Sequence, residues 1–239
     1  PEATVVQVDI EPEEMASGAP VSHGIVADAR VTAEALANAL ASSSLDSASA
    51  SWLKSLQEKS KRNEESLRAV ELDDSAPINP YRVVAEIRNV LPRDATITAE
   101  GETTMGICRA MLPSFANRSR FNAGTTGSMG VGVPYTVGAA LANPDRLSVG
   151  VLGDYAFGSA AMAVETAARV GAKPLLVVLN NEGIAGHMIQ DAMLPPDSPM
   201  VASLLPARYE KMAEMVGGHA EYVETPDQMQ VKLKFKTTC

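Results

Sequence analysis

Polar side chains follow two apolar segments of this sequence, at points where strands are expected to end. Asp154 closely follows residues 147–152, and Asn180 and Asn181 directly follow residues 175–179. A helix of about 13 residues between them would run about 20 Å in one direction, and the second strand would return about 17 Å. Because the two distances nearly cancel, the aspartate and the asparagines are expected to meet at one edge of a sheet.

The chemistry of these residues suits a divalent cation and a diphosphate. A carboxylate from Asp154, an amide oxygen from Asn180 or Asn181 and the main-chain carbonyl of Gly183 would form an oxygen half-shell, which Mg²⁺ prefers. The backbone N–H groups of Tyr155 and Ala156, at the start of a predicted helix, are suited to an anion. An ordinary alternative stays open, in which Asp154 caps its helix and the asparagines make a turn.

Strand-like and helix-like segments alternate around these residues. Strands are expected at 96–99, 120–122, 147–152, 175–179 and, less regularly, 220–223. Helices are expected near 104–111, 130–142, 158–170 and 207–216. This alternation predicts an α/β fold with a mostly parallel sheet and helices on both faces. In such sheets ligands bind outside the carboxyl ends of the strands.

The first 45 residues have a different organisation. Strands are expected at 4–10 and 23–28 and a helix at 31–41. This order is typical of the tail of a Rossmann-like α/β domain rather than of a whole one.

Residues 46–78 are expected to form a linker that contains a charged helix. Asn79 and Pro80 have the residue types of an N-cap and a first helical position. A separate domain is therefore predicted to begin there and to occupy residues 79–239.

Composition and charge exclude several classes of function. The apolar fraction of 46% is ample for a core, and the net charge of −9 argues against attraction to nucleic acid or to an acidic membrane. No stretch of about 18 uninterrupted apolar residues occurs, so no bilayer-spanning helix is expected. The first residues, which lack a starting Met, do not resemble a signal peptide.

The cysteines and histidines offer little chemistry of their own. Cys108 and Cys239 form no disulfide framework and favour a reducing cytoplasm, and ordinary packing is the favoured role for Cys108 within an apolar run. The three histidines have no metal-ligand spacing. His187 alone deserves interest, because it follows the asparagine segment.

The pattern GDY, 24 residues (156–179), then NN resembles the cofactor motif of thiamine diphosphate enzymes. The flanking AFGSAAMAVETAARVGAKPLLVVLNNEGI is similar to this family throughout, although Tyr155 stands where the family most often has Gly or Ser. The resemblance implies the thiamine diphosphate-binding fold, with Mg²⁺ held by Asp154, Asn181 and the Gly183 carbonyl. It also implies that Tyr155 and Ala156 meet the diphosphate and that Gly153 belongs to the cofactor site.

A second block, GTTGSMGVGVPYTVGAALA from Gly124, resembles the family segment that supports the coenzyme's two rings. In this resemblance Met129 is the bulky apolar residue that keeps the coenzyme bent, the Gly127 carbonyl accepts from its amino group, and Ser128 lies between them. Plain core packing is the alternative for Met129. Thr103 matches a diphosphate-contacting hydroxyl more loosely.

The first 42 residues resemble the oxalyl-CoA decarboxylase and 2-hydroxyacyl-CoA lyase branch of the family. The resemblance implies an acyl-CoA substrate and an adenine nucleotide near Asp9, Ile10 and Asp28. Gly186, His187 and Gln190 would line the mouth of the site, although a structural His187 is equally plausible. Acetolactate synthases and 2-oxoacid decarboxylases are the rival enzymes.

The resemblance also carries expectations about the intact protein. Family enzymes build the active site between subunits, which implies a homodimer or homotetramer. The glutamate that activates the coenzyme belongs to a pyrimidine-binding domain, and Glu100, Glu102 and Glu182 do not match its position. The 239 residues alone are therefore expected to be inactive, and a non-catalytic cofactor-binding role is the alternative of another class.

Overall fold

A computed structural model describes residues 3–43, 47–184 and 191–229. The chain divides into two compact units, Pro1–Asn63 and Glu64–Cys239. The separate boundaries predicted at residues 45 and 78 stay predictions.

The first unit contains the two strands and the helix that its sequence predicts. Strand β1 (Val6–Asp9) pairs in parallel with β2 (His23–Val26), and α1 (Ala29–Leu40) follows. Asp28 is the N-cap of this helix, because its carboxylate accepts hydrogen bonds from the N–H groups of Arg30 and Val31 in the first turn. The long helix α2 (Ser47–Glu71) connects the first unit to the second.

The second unit alternates helices and strands after α2. Its elements are α3 (Pro80–Val90), β3 (Thr96–Glu100), α4 (Glu102–Met111), β4 (Arg120–Phe121), α5 (Gly132–Ala142), β5 (Ser148–Gly153), α6 (Asp154–Gly158), α7 (Ala163–Val170), β6 (Leu175–Leu179) and α8 (Lys211–Met215). Asn79 caps α3 by accepting from the Tyr81 N–H, which confirms the predicted start of that helix.

The four strands of this unit form one parallel sheet in the order β4-β3-β5-β6. Strand β5 is central and fully apolar over 149–152, as expected of a parallel strand that is covered on both faces. Its register places Glu100 of β3 opposite Leu152, and Leu179 of β6 opposite Gly153. The carboxyl ends of β3, β5 and β6 therefore lie side by side.

Two apolar clusters pack on opposite faces of the sheet. One gathers residues of α3, α4, β3 and β5, including Ile87 and Leu112. The other gathers residues of α5, α6 and α7 around Leu152 and Phe157. Alternate residues of β6 join the two clusters, since successive side chains of a strand point to opposite faces. The predicted α/β fold with helices on both faces is confirmed.

Three predicted elements differ from the structure. The helix expected over 158–170 is two helices, because the N–H groups of Ala160, Ala163 and Val164 donate to carbonyls three residues earlier. The Ser159 hydroxyl also donates to the Tyr155 carbonyl, a contact that competes with the regular helix pattern. The helix expected over 207–216 is limited to α8, preceded by turns.

The strand expected at 220–223 is absent from the described part of the chain. These residues and β6 both line one cavity, so a gap rather than a hydrogen-bonded ladder separates them. Among the described residues no helix has the length and hydrophobicity needed to cross a membrane.

Candidate cofactor site

Asp154 joins the ends of β5 and β6. Its side chain is only 1% exposed. One carboxylate oxygen accepts from the Tyr155 N–H at 2.6 Å, and the other accepts from the N–H groups of Asn181 at 3.2 Å and Gly183 at 3.0 Å. The meeting of the aspartate with the asparagine turn at one edge of the sheet, predicted from the sequence, is therefore present.

The donor atoms at this edge fit a hard cation. A carboxylate has about four lone-pair positions, and the three N–H donors leave capacity for a metal. The Gly183 carbonyl takes no part in the backbone hydrogen bonds of its bridge, which run from Ile184 to Ala202 and from Leu204 to Glu182. The described residues hold no cluster of three His, Cys, Asp or Glu side chains, so a metal here would rely on one carboxylate with neutral oxygens.

Asn180 and Asn181 have different surroundings although both are exposed. The Asn180 side-chain oxygen accepts from the Glu182 N–H at 3.1 Å, and its amide nitrogen donates to the Ala207 carbonyl. Glu182 has a positive φ of 59°, a left-handed conformation within this tight turn. Asn180 therefore makes a turn, which was the ordinary alternative for the asparagines. Asn181 instead donates a backbone hydrogen bond to the Asp154 carboxylate.

A strap made of residues 201–204 holds the turn from outside. It pairs with 182–184 through the two backbone hydrogen bonds of the bridge. Asp191 orders the strap, since its carboxylate accepts from the N–H groups of Val201, Ala202 and Ser203 at 3.2, 3.1 and 2.8 Å. Sequence analysis missed Asp191, because nothing local links an aspartate to amides 10 to 12 residues away.

The strap is expected to open in acid. Hydrogen bonds from Ser203 and its neighbours lower the pKa of Asp191 from 3.8 to about 2. A lowered carboxyl pKa stabilises the folded state above the unfolded pKa, and that stabilisation is lost as the pH falls through the folded value. The protection factors of the Val201 and Ser203 amides against hydrogen exchange should therefore be high at pH 5 and should fall between about pH 4 and pH 2. Asp191→Asn should show fast exchange already at pH 5; equal exchange in both proteins would contradict the assignment.

The turns after β3 and β5 touch at the carboxyl edge. Gly101 has a φ of 103°, and a Cβ there would lie 3.3 Å from the Gly153 nitrogen, so a side chain would be strained and crowded. Thr103 lies in the first turn of α4, which begins at Glu102, and is exposed.

A cavity of about 810 Å³ opens beside these turns. Its lining contains most of the residues that the sequence predicts for a coenzyme, namely Thr103, Met129, Gly153, Asp154, Tyr155, Ala156, Asn181 and Gly183. The N–H of Tyr155 already donates to Asp154, whereas the sequence predicted it free for an anion. The predicted ligand contacts themselves stay predictions.

The segment 124–129 is exposed and precedes α5; it consists of a 3-10 turn, Gly124–Thr126, and a short loop. Gly127 adopts a left-handed conformation with φ of 62°, which glycine reaches without strain. Ser128 contacts Thr126 through their hydroxyls at 3.3 Å. Met129 is 44% exposed and lines the cavity, so it is not a plain core residue.

Glu100 is a buried carboxylate that sequence analysis did not assign to this site. It ends β3, is 2% exposed, and accepts hydrogen bonds from the N–H groups of Gly130, Val131 and Gly132. The signal in the sequence was an acidic residue at the end of a predicted buried strand, which matches the placement of Asp154 after β5.

Tyr209 lines the cavity. Its ring meets that of Phe157 edge to face, with 5.8 Å between the centroids. Burial raises the pKa of Tyr209, and the carboxylates of Asp154 and Glu182 raise it further. The phenol is therefore neutral over the physiological range.

Cys108 lies in the core, as its sequence context predicted. It is fully buried, and burial raises the pKa of its thiol to about 12. Because the thiolate is the reactive form, a thiol reagent at pH 8 should leave Cys108 unmodified in the folded Cys239→Ser variant and should modify it fully in denaturant. Rapid labelling of the folded variant would show that the core opens at this position.

Several predicted residues carry no further support from the structure. Gly186, His187, Gln190 and Cys239 lie outside the described residues. In the first unit, Asp9 accepts from the Glu11 N–H, Asp28 caps α1, and Ile10 is exposed. These contacts explain both aspartates locally, and an adenine nucleotide there stays a prediction.

The fold and the edge together define a class of protein. The sheet is parallel and lies between two helical layers. At its edge a buried aspartate accepts hydrogen bonds from the turn after the neighbouring strand, beside a large cavity. These features are typical of an α/β domain that binds a ligand at the ends of its strands. Residues 99–236 match the family described as thiamine pyrophosphate enzyme, C-terminal TPP binding domain. The chain belongs to this family.

Individual relatives agree with that membership. The chain is 37% identical over 192 residues to 2-hydroxyacyl-CoA lyase of Arabidopsis thaliana, which covers 77% of the chain and 34% of that protein. It is 27% identical over 230 residues to oxalyl-CoA decarboxylase of Escherichia coli strain K12, which covers 94% of the chain and 40% of that protein. The chain thus spans about a third of the length of the lyases that it matches.

A solved structure shares the fold. A protein isolated from Mycobacterium smegmatis and described as thiamin diphosphate-dependent matches with a TM-score of 0.73 at 24% identity. The match covers 100% of this chain and 42% of that one.

Proposed function

We propose that this chain is the coenzyme-binding part of a thiamine diphosphate- and Mg²⁺-dependent carbon–carbon lyase that acts on 2-hydroxyacyl-CoA or oxalyl-CoA. The buried Asp154 carboxylate, bonded to the N–H groups of Asn181 and Gly183 in a chain of this family, carries the proposal. The names of the relatives support the acyl-CoA substrate.

The edge residues would hold the metal and the diphosphate. Asp154, the Asn181 side chain and the Gly183 carbonyl offer three neutral or anionic oxygens to Mg²⁺, which typically keeps other positions for phosphate and water. Asp154 is already oriented by its own hydrogen bonds, so it loses little conformational freedom when a metal binds. Gly153, Tyr155, Ala156 and Thr103 would adjoin the diphosphate.

The loop before α5 would support the rings of the coenzyme. The Gly127 carbonyl would accept from the ring amino group, Ser128 would adjoin it, and Met129 would pack against the bend between the rings. Met129 is suited to this contact, since its flexible thioether is exposed towards the cavity. Bound thiamine diphosphate supplies an electron sink for breaking a carbon–carbon bond. The surrounding apolar lining would exclude water from the reacting groups.

The rest of the functional unit is proposed from the resemblance. A homodimer or homotetramer would complete the active site, and the central-domain tail around Asp9, Ile10 and Asp28 would lie near an adenine nucleotide. By the same resemblance the activating glutamate would belong to a pyrimidine-binding domain, and Glu100, Glu102 and Glu182 do not match its position, so we expect the 239 residues to bind coenzyme without turning over substrate.

The test of substrate class supplies a pyrimidine-binding domain of a relative as a separate polypeptide. Cleavage of a 2-hydroxyacyl-CoA, release of CO₂ from oxalyl-CoA and turnover of a 2-oxoacid are measured in parallel with Mg²⁺ and thiamine diphosphate. Activity on either thioester supports the proposal. Turnover of the 2-oxoacid alone would indicate an acetolactate synthase or a 2-oxoacid decarboxylase.

The non-catalytic alternative gives a different pattern. Coenzyme binding without turnover of any substrate, although the added domain is folded and bound, would indicate a binding module.

A further inference from the structure

Glu100 holds the start of α5 in place. Its Oε1 accepts from the N–H groups of Gly130 and Val131, the latter at 3.3 Å, and its Oε2 accepts from Gly132 at 2.6 Å. These donors belong to the loop end and first turn, where backbone N–H groups have no partner within the helix. One side chain therefore satisfies three donors at once.

The first turn of α5 lies very close to the Glu100 carboxylate. A Cβ at Gly132 would lie 2.5 Å from Glu100 Oε2, so the helix approaches the carboxylate as nearly as a glycine permits. Glu100 is 30 residues from Gly130 in the chain, so it ties a distant loop to the sheet. A buried carboxylate is costly without compensating hydrogen bonds, and here the three N–H groups provide them.

The position of Glu100 relates this contact to the coenzyme edge. It lies opposite Leu152 in the register, and the next residue, Gly101, packs against Gly153. Asp154 therefore follows β5 beside the point where Glu100 ends β3. The sheet presents two buried carboxylates at neighbouring strand ends: one fixes the turn after β6, and the other fixes the loop that ends at Gly130.

We propose that Glu100 is a positioning residue that sets the place of Gly127, Ser128 and Met129 against the rings of the coenzyme. This inference rests on the proposed function, since it assumes that the exposed loop 124–129 meets those rings. Glu100 itself touches only backbone N–H groups. It acts through the loop, whereas Asp154 acts at the diphosphate end.

Two probes can distinguish the diphosphate end of the proposed coenzyme site, at Asp154, from its ring end, at the loop 124–129. Inorganic pyrophosphate with Mg²⁺ occupies only the edge around Asp154, whereas thiamine diphosphate with Mg²⁺ also contacts the loop. Calorimetric affinities for both probes are measured with the 239-residue chain and with Glu100→Gln. The variant is expected to bind thiamine diphosphate about tenfold more weakly, because it loses hydrogen bonds to a charged acceptor. Its affinity for pyrophosphate is expected to stay within about twofold of wild type.

Matched variants control for the substitution and for stability. Glu165→Gln makes the same change on α7, where the Glu165 side chain is 45% exposed and pairs with Arg169, and should bind both probes like wild type. Glu100→Asp keeps the charge on a shorter side chain and should show a smaller selective loss. Thermal unfolding verifies that each variant is folded, and loss of the fold in both Glu100 variants would show a purely structural role and overturn the proposal.

The remaining outcomes distinguish failure of the positioning role from failure of the proposed coenzyme site. Equal weakening of both probes, or no change in either, overturns the positioning role while leaving the proposed function standing. Failure of the wild-type chain to bind either probe refutes the proposed coenzyme site itself, and the inference with it.

Discussion

Asp154→Ala is expected to lower the Mg²⁺-dependent affinity of the chain for thiamine diphosphate by on the order of 100-fold or more, since it removes the one charged group of the proposed metal site and also releases the turn that carries the other proposed ligands. The N–H groups of Asn181 and Gly183 would lose their acceptor. Because Gly183 is buried, its unpaired N–H adds a cost of about 1–3 kcal/mol to stability. Calorimetry with Mg²⁺ and thiamine diphosphate measures the affinity, and thermal unfolding measures the stability.

Two further variants separate charge from shape. Asp154→Asn keeps an acceptor oxygen, so it should recover part of the stability and little of the metal affinity. Asp145→Ala removes an exposed aspartate from the turn before β5 and should bind like wild type. Equal coenzyme binding by wild type and Asp154→Ala would mean that the metal site is wrong.

Gly132→Ala is expected to destabilise the second unit by about 1–3 kcal/mol, as overpacking of a close-packed site does. The added Cβ would lie 2.4 Å from Leu152 Cδ2 and 2.5 Å from Glu100 Oε2. Both neighbours are buried, so neither can move freely. A chemical denaturation curve gives the change in free energy of unfolding.

The same helix provides the control for this prediction. A Cβ at Gly138 would meet nothing within 4 Å. Since alanine is favoured over glycine inside a helix by about 1 kcal/mol, Gly138→Ala should stabilise the protein. Similar effects from the two substitutions would contradict the close approach of α5 to the sheet at Gly132.

The arrangement of strand ends was predictable because it follows from element lengths. A helical segment and a returning strand of known rise place Asp154 and Asn181 at one edge, and this result survives the division of the predicted helix at Ser159. The division itself was not predictable from apolar spacing, because small residues such as Ala160 and Ala163 fit a regular helix and a tight turn equally well.

The side-chain contacts of the site were less accessible to sequence reasoning. Glu100 and Asp191 each accept from three backbone N–H groups that are distant in the chain, and backbone donors leave no mark on residue type. The segment 220–223 has the composition of a strand but lies across a cavity from β6. Strand formation depends on a partner at hydrogen-bonding distance, which local sequence does not encode.

The most direct test places a paramagnetic metal in the site. Mn²⁺ replaces Mg²⁺ in the presence of thiamine diphosphate, and amide resonances of the isotopically labelled chain are recorded. The account predicts the strongest broadening at Tyr155, Asn181 and Gly183, with weaker broadening across the strap of residues 201–204. Broadening centred elsewhere, or none at saturating coenzyme, would contradict the claim that Asp154 and Asn181 hold the metal.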